Sequence, residues 1–240
     1  MGQQSDDLWM GTATGQQTAS WSSSGNPGVI GQGVGPLGRT YVFDIVPIAL
    51  SATAVSAAQA IAGAANALIN GASATAGVAT FATVRAVSIV SSSASDTAVT
   101  VTLTGTDYYG QTQTQRLTLN GVTTVVSTKT FKTITQAAVS AVMVGNLSIG
   151  TANVFGLPYA VTDGGYLLRT GWAGAVADNA GTFVAADGTT PSATTGDVRG
   201  TFAPTSVADG SKRLVIAIGM TAIQAGPNAT QIGAIGVVPA

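Results

Sequence analysis

Two stretches of this chain alternate strictly enough to decide its backbone. Thr83-Val84-Arg85-Ala86-Val87-Ser88-Ile89-Val90 and Ala98-Val99-Thr100-Val101-Thr102-Leu103-Thr104 set apolar residues against others at period two. Many of those residues are β-branched. Such a side chain is stiff at χ1 and packs well on a pleated surface. Period two puts one set of side chains on a buried face and the other toward a second environment, which is the pattern of a strand. Turn chemistry follows. Gly105-Thr106-Asp107 and Gly110 punctuate the second stretch. Asn120-Gly121, inside Arg116–Val125, suits a type I′ turn and predicts a hairpin there. A further strand is expected from Thr130 to Val144, through Phe131, Ile134, Val139 and Val142.

The same style continues to the C-terminus. Asp163-Gly164, Asp187-Gly188 and Asp209-Gly210 are turn pairs. They separate Tyr166-Leu167-Leu168, Thr182-Phe183-Val184, Val198 to Phe202, and Leu214 to Ile218. None of these Asp-Gly pairs sits in the spaced, multi-carboxylate pattern of a calcium loop, so they read as turns. Short strands with turns at this density predict an all-β fold, an antiparallel β-sandwich or jelly-roll-like architecture.

The expected organisation has three parts. Residues 1–40 read as an extended N-terminal arm, rich in Gly, Ser, Thr and Gln. Trp9 and Trp21 are its candidate anchors on a partner. Residues 41–150 read as the β-sandwich core, opening with Tyr41-Val42-Phe43 as a strand. Residues 151–240 supply further strands that complete the core or form a second small β lobe. Residues 45–69 are ambiguous. Ala favours helix there, while Pro47 and the β-branched residues favour extended chain, and strands are the preferred reading. The stretch is long and uncharged, but Ser56, Gln59 and Asn66 weaken it as a membrane span, and none is expected. Residues 1–25 lack the basic-then-apolar order of a signal peptide. The Gly-rich, uncharged last fifteen residues read as a segment that docks on a neighbour or frays.

Charge then narrows function. The 240 residues hold 9 Lys and Arg and 10 acids, every acid is Asp, and His and Cys are absent. Charged residues make up 8 %, against about 25 % in an average domain. Without Cys there is no thiol nucleophile, thiolate metal site or disulfide. Without His the usual general base and the commonest zinc ligand are missing. The cations are scattered, so no basic stripe for nucleic acid is expected. A surface this poor in charge is poorly protected against association. It reads as a surface covered by other subunits.

Few residues stand out as sites. Tyr108 and Tyr109, beside Asp107 and Gln111, form a candidate contact tip or a cap on the sandwich edge. Gly31-Gln32-Gly33-Val34-Gly35 lacks the spacing of a nucleotide-binding loop. Arg199 beside Asp197, and Arg116 opposite the Val122–Val126 strand, read as surface ion pairs or as contacts across a subunit interface. No catalytic, cofactor-binding or metal-binding residue is expected. The candidate partner contacts are Trp9, Trp21, Tyr108 and Tyr109.

Two blocks carry a resemblance. The first runs Val84-Arg85-Ala86-Val87, then Val99 to Gly110 with its Thr104-Gly105-Thr106-Asp107-Tyr108-Tyr109-Gly110 turn, then Lys129-Thr130-Phe131-Lys132-Thr133-Ile134-Thr135. The second runs Asn153-Val154-Phe155-Gly156-Leu157-Pro158-Tyr159, Ala185 to Pro191, and Thr195-Gly196-Asp197-Val198-Arg199-Gly200-Thr201-Phe202. Together they span about residues 82–218 and resemble head and virion proteins of tailed bacteriophages. The resemblance implies a structural component of the virion, assembled in the host cytoplasm. Most simply it is a capsid decoration or cement protein. The implied partners are the major capsid protein and copies of itself in a closed homo-oligomer such as a trimer, with no direct nucleic acid and no membrane. It offers no catalytic residues. The alternative is a tail or fibre-associated protein that binds host-surface glycans through Tyr108, Tyr109 and Trp172. A third class, a depolymerase with paired Asp residues, lacks any suggestive spacing.

Overall fold

The computed structural model describes residues 37–173, 181–221 and 234–235. Its strands are β1 (Leu37–Ile45), β2 (Ser56–Ala60), β3 (Ala65–Asn66), β4 (Ala74–Thr75), β5 (Val78–Ser91), β6 (Thr100–Thr106), β7 (Thr112–Thr118) and β8 (Val125–Val139). They continue with β9 (Asn146–Gly156), β10 (Ala160–Val161), β11 (Leu167–Trp172), β12 (Gly181–Val184), β13 (Thr201–Pro204), β14 (Leu214–Thr221) and β15 (Ala234–Ile235). The only helical turn among the described residues is a short 3₁₀ segment at Gly164–Tyr166, capped by the Asp163 carboxylate on Gly165 N at 2.8 Å. No helix there is long and apolar enough to cross a membrane. The fold is all-β, antiparallel and sandwich-like.

One large sheet dominates. Its strand order is β12-β13-β9-β5-β8-β6-β7, with β2 on β9, β3 on β8 and β4 on β5. It curls into a half-barrel. The register explains the curl. Between Ser88 and Ala86 of β5 lies only Val87, while the partner β8 runs from Val126 to Thr130 through residues 127–129, so β8 carries two surplus residues. Surplus residues bend a strand and increase its local twist. Inside the curl lies the first core, with Phe81, Val87, Ile89, Val101, Leu103, Phe131, Ile134, Leu147 and Ile149 buried. The period-two stretches supply these residues, but the segment Val84–Ile89 is buried on both faces: Val84 lines a cleft with Phe43, Ile45 and Ile216 of the second sheet, and loop 46–52 packs on the strand as well. The Arg85 guanidinium reaches Ile48 O in that loop at 2.8 Å.

A smaller sheet, β1-β14-β11, forms the second layer. Its core gathers Phe155, Leu157, Val161, Leu167, Phe202, Leu214, Ile216 and Ile218, with Phe43, Ile45 and Trp172 packed against it. Chain order and layer differ here. β1 pairs with β14 from Ile45↔Leu214 to Leu37↔Thr221, so the first described strand belongs with the C-terminal half. β9 runs unbroken across residue 150. Within 45–69 the structure has the short strands β2 and β3 and no helix.

The expected hairpin at Asn120-Gly121 is corrected. A tight turn exists, with Asn120 bridged to Thr123, Thr123 N donating to Asn120 O at 3.0 Å, and Gly121 at φ +59°. Gly121 is thus the first central residue, and Asn120 is outside the positive-φ set. That geometry matches a II′ turn, one residue later than expected. The flanking strands do not pair, because β6 lies between β7 and β8. The true hairpin is β6–β7, from Thr100↔Thr118 to Thr106↔Thr112. Its tip is Asp107 to Gln111.

Candidate functional site: the β8 bulge and the tyrosine hairpin tip

The surplus residues in β8 leave backbone groups outside the ladder, and buried backbone groups need partners. Side chains supply them. Gln115 Oε1 accepts from Lys129 N at 2.6 Å, and Gln113 Nε2 donates to Thr130 O at 2.5 Å. Ser127 Oγ donates to Lys129 O at 2.6 Å and accepts from Val87 N at 2.9 Å. The Asp197 carboxylate accepts from Thr130 N at 3.0 Å and Thr130 Oγ1 at 2.7 Å, and from Arg199 N at 2.9 Å. Two glutamines of β7 thereby stitch the edge of the curl to β8, a strand it does not pair with.

Buried charges surround this bulge. Asp197 is sealed in, and burial pushes its carboxyl above the ordinary range, partly opposed by the Thr130 hydroxyl. Lys129 is fully buried, with no hydrogen-bond partner for Nζ among the described residues. Desolvation holds its ammonium below the usual value, against the pull of Asp197 and Asp187. Asp187 is held down by the Thr189 hydroxyl and amide.

The ion pairs expected at the surface are corrected. The Arg199 guanidinium pairs with Asp107, not Asp197, at 2.7 Å, and both side chains are at most 4 % exposed. Arg116 is opposite Thr102 of β6, not the Val122–Val126 segment. Its exposed position and the backbone bond from Arg116 N to Ala193 O at 2.7 Å place it on the outer edge.

Asp107 also builds the hairpin tip. Its Oδ1 accepts from Tyr109 N at 2.9 Å and Gln111 N at 2.7 Å. The Tyr109 ring lies 4.9 Å from the Arg199 guanidinium carbon, a cation–π contact. Its hydroxyl donates to Pro158 O at 2.9 Å. Burial raises the Tyr109 phenol, and Arg199 acts in the opposite direction. Tyr108 is 38 % and Tyr109 53 % exposed, with ring centroids 5.0 Å apart. The two tyrosines are together at one tip, as the sequence implied, and Tyr109, although the more exposed of the two, is held in place by three contacts. Trp172 sits on β11 against the second core. Trp9 and Trp21 lie outside the described residues.

A second network holds the far end of the curl. Asp96 accepts from Ser91 Oγ at 2.5 Å, Val144 N at 2.9 Å and Gly145 N at 2.9 Å, while its backbone O accepts from Gly121 N. It ties three loops together. The Ser91 hydroxyl, then the Val144 amide, keep its carboxyl below the ordinary range. A folded-state value below the unfolded one stabilises the fold above the unfolded value, near pH 4, and that contribution is lost as pH falls through the folded value. Asp96→Asn is therefore expected to lower the melting temperature at pH 7 and to shrink its further fall between pH 4 and 2. Calorimetry across that range checks it; an unchanged acid limb would show that Asp96 is not the group responsible.

Among the described residues, no three His, Cys, Asp or Glu side chains gather to hold a metal. The fold and its stitched bulge define an all-β antiparallel protein with ionic groups locked inside. Comparison with protein families, with characterised proteins and with solved structures finds no match to this chain.

Proposed function

We propose that this chain is a non-enzymatic structural subunit of a tailed-phage particle, most simply a capsid decoration or cement protein. One observation carries the reading. The chain has nine basic and ten acidic residues, and among the described ones six are buried: Arg85, Asp96, Asp107, Lys129, Asp197 and Arg199. A chain already poor in charge keeps much of it away from water. Burying charge costs free energy unless each group is paired or bonded, and the gain here is internal rigidity and not solubility. The surface that remains suits contact with other subunits. At one end of the curl, loops 91–98, 120–124 and 140–146 expose Val122, Val142 and Val144, and their single charge, Asp96, is buried.

Supporting the particle assignment are the two phage-like blocks, which contain the bulge residue Lys129 and its neighbour Thr130, the Asp107 tip and the Asp197-Val198-Arg199 segment. In the glycan alternative Tyr108 carries recognition, because Tyr109 is engaged by Arg199 and Pro158. The reading predicts concentration-dependent self-association by analytical ultracentrifugation, and added stability of shells carrying the protein against heat. Val144→Lys is expected to weaken its association, with itself or the shell, about tenfold or more. A lone monomer that leaves shell stability unchanged would sink the proposal.

A further inference from the structure

Charge is spread unevenly over this fold. Between Asp44 and Asp107 the only charged residues are Arg85 and Asp96, and both are buried. Residues 117–128 and 133–162 contain none. These segments meet at one end of the curl, where Asp96 holds loops 91–98, 120–124 and 140–146 together through Gly121, Val144 and Gly145. The loops are in close contact. Asn146 N donates to Ser92 Oγ at 2.8 Å, and a Cβ added at Gly145 would lie 2.5 Å from Ser93 N. This end is therefore a preformed surface, and little ordering is left for a contact to impose on it.

Its exposed groups are of two kinds. Val122, Val142 and Val144 are 58, 61 and 78 % exposed, and Val144 is the most exposed large apolar side chain among the described residues. The exposed polar side chains of the three loops are hydroxyls, such as Ser95, Thr97 and Thr123, and the amides of Asn120 and Asn146. A hydroxyl or an amide both donates and accepts, so it can pair with an identical group. A carboxylate or an ammonium cannot. That difference selects the occupant. Where copies meet about a rotation axis, residues near the axis face themselves, and any charge there meets a like charge at a cost. An acidic or basic partner finds no counter-charge on this end, whereas a second copy finds no repulsion.

We propose that this end is a self-association face, at which two copies of the chain meet about a two-fold axis with Val144 facing its own copy. The inference rests on the subunit reading above and names the partner of this surface. Asp96 has a place in it. Its carboxylate is turned inward, so it fixes the three loops without setting a charge at the contact.

The test uses the full chain, with Val144→Lys and Val144→Asp made separately. The side chain is exposed, so both variants are expected to melt as the parent does; Val142→Lys and Val142→Asp repeat the test at a second exposed position. Sedimentation velocity reads each variant alone and the two mixed in equal amounts. Alone, each is expected to associate about tenfold more weakly or worse, because like charges now face each other. Mixed, they are expected to recover the parent's association, because lysine then faces aspartate. A mixture that stays as weak as its components shows that residue 144 does not face its own copy and overturns the axis. Association left intact in both variants puts the contact elsewhere and overturns the face. The subunit reading survives either result. A parent that stays monomeric at every concentration also overturns the inference, and the heat stability of shells carrying the protein then decides the subunit reading separately.

Discussion

Asp107→Ala is expected to destabilise the protein by about 3–5 kcal/mol, the usual cost of breaking a buried ion pair from one side. The Asp107–Arg199 contact is 2.7 Å long and nearly sealed from water. Removing the carboxylate takes the 2.7 Å partner from a buried guanidinium that cannot shed its proton. It also removes the acceptor for Tyr109 N and Gln111 N, so the tip of the β6–β7 hairpin loses its shape. For a chain of this size each kcal/mol moves the melting temperature by roughly 2–4 °C, which puts the expected fall near 10 °C. Asp107→Asn separates the two roles. It keeps an amide oxygen for the turn and removes the charge, so a loss close to that of Asp107→Ala assigns the cost to the ion pair. Asp107→Ala with Arg199→Met should recover stability relative to Asp107→Ala alone, because the buried guanidinium no longer has to be desolvated. Urea unfolding of the parent, Asp107→Ala, Arg199→Met and the double variant gives the coupling directly. The solvent-exposed Asp44–Arg213 pair is the internal control, and its removal should change little. A loss below about 1 kcal/mol for Asp107→Ala would place the buried pair in the same class as that control.

These effects show where the sequence was legible and where it was not. Strand content was open to reading because β5 and β6 announce it by alternation, and Phe81, Val87, Ile89, Val101 and Leu103 fall on the buried side. Strand order was hidden. The Asn120-Gly121 pair does form a turn, but a local signal cannot say that β6 inserts between its flanking strands. Pairing is decided by which strands close the curl, and the irregularities of the β5–β8 pair, one on each strand, are visible only as changes of register. The polar stitching left a faint signal. In β7, Gln113 and Gln115 share parity with Leu117, and all three are buried. Two amides at core parity mark a buried polar network. Arg85 likewise shares parity with Val87 and Ile89. The pairing of Arg199 with Asp107, 92 positions away, left no such trace, since Asp197 is the acid nearest to it in sequence.

Arg85 is the second residue whose replacement should be felt across the fold. It is the largest fully buried side chain. The guanidinium donates through Nε and Nη2 to Ala152 O at 3.0 and 2.8 Å and through Nη1 to Ile48 O at 2.8 Å. Its carbon lies 5.2 Å from the Phe155 ring centre. No carboxylate is among these partners, and burial pushes the guanidinium down to about 10. The charge is therefore held by carbonyl dipoles and an aromatic face alone, while the side chain bolts loop 46–52 onto β9. Arg85→Ala opens a cavity and orphans two carbonyls, with an expected cost of about 3–5 kcal/mol. Arg85→Lys should cost nearly as much, because a compact ammonium cannot reach both carbonyls and is harder to desolvate. Arg85→Met is the discriminating variant. It refills the space and abolishes the desolvation penalty, so a loss of about 1–2 kcal/mol is expected, from the unsatisfied carbonyls only. The predicted order of stability is Arg, Met, then Lys and Ala together, measured by chemical denaturation at pH 7. If Lys instead outranked Met, a positive charge at this position would be what loop 46–52 requires, and the fork of donors would be incidental.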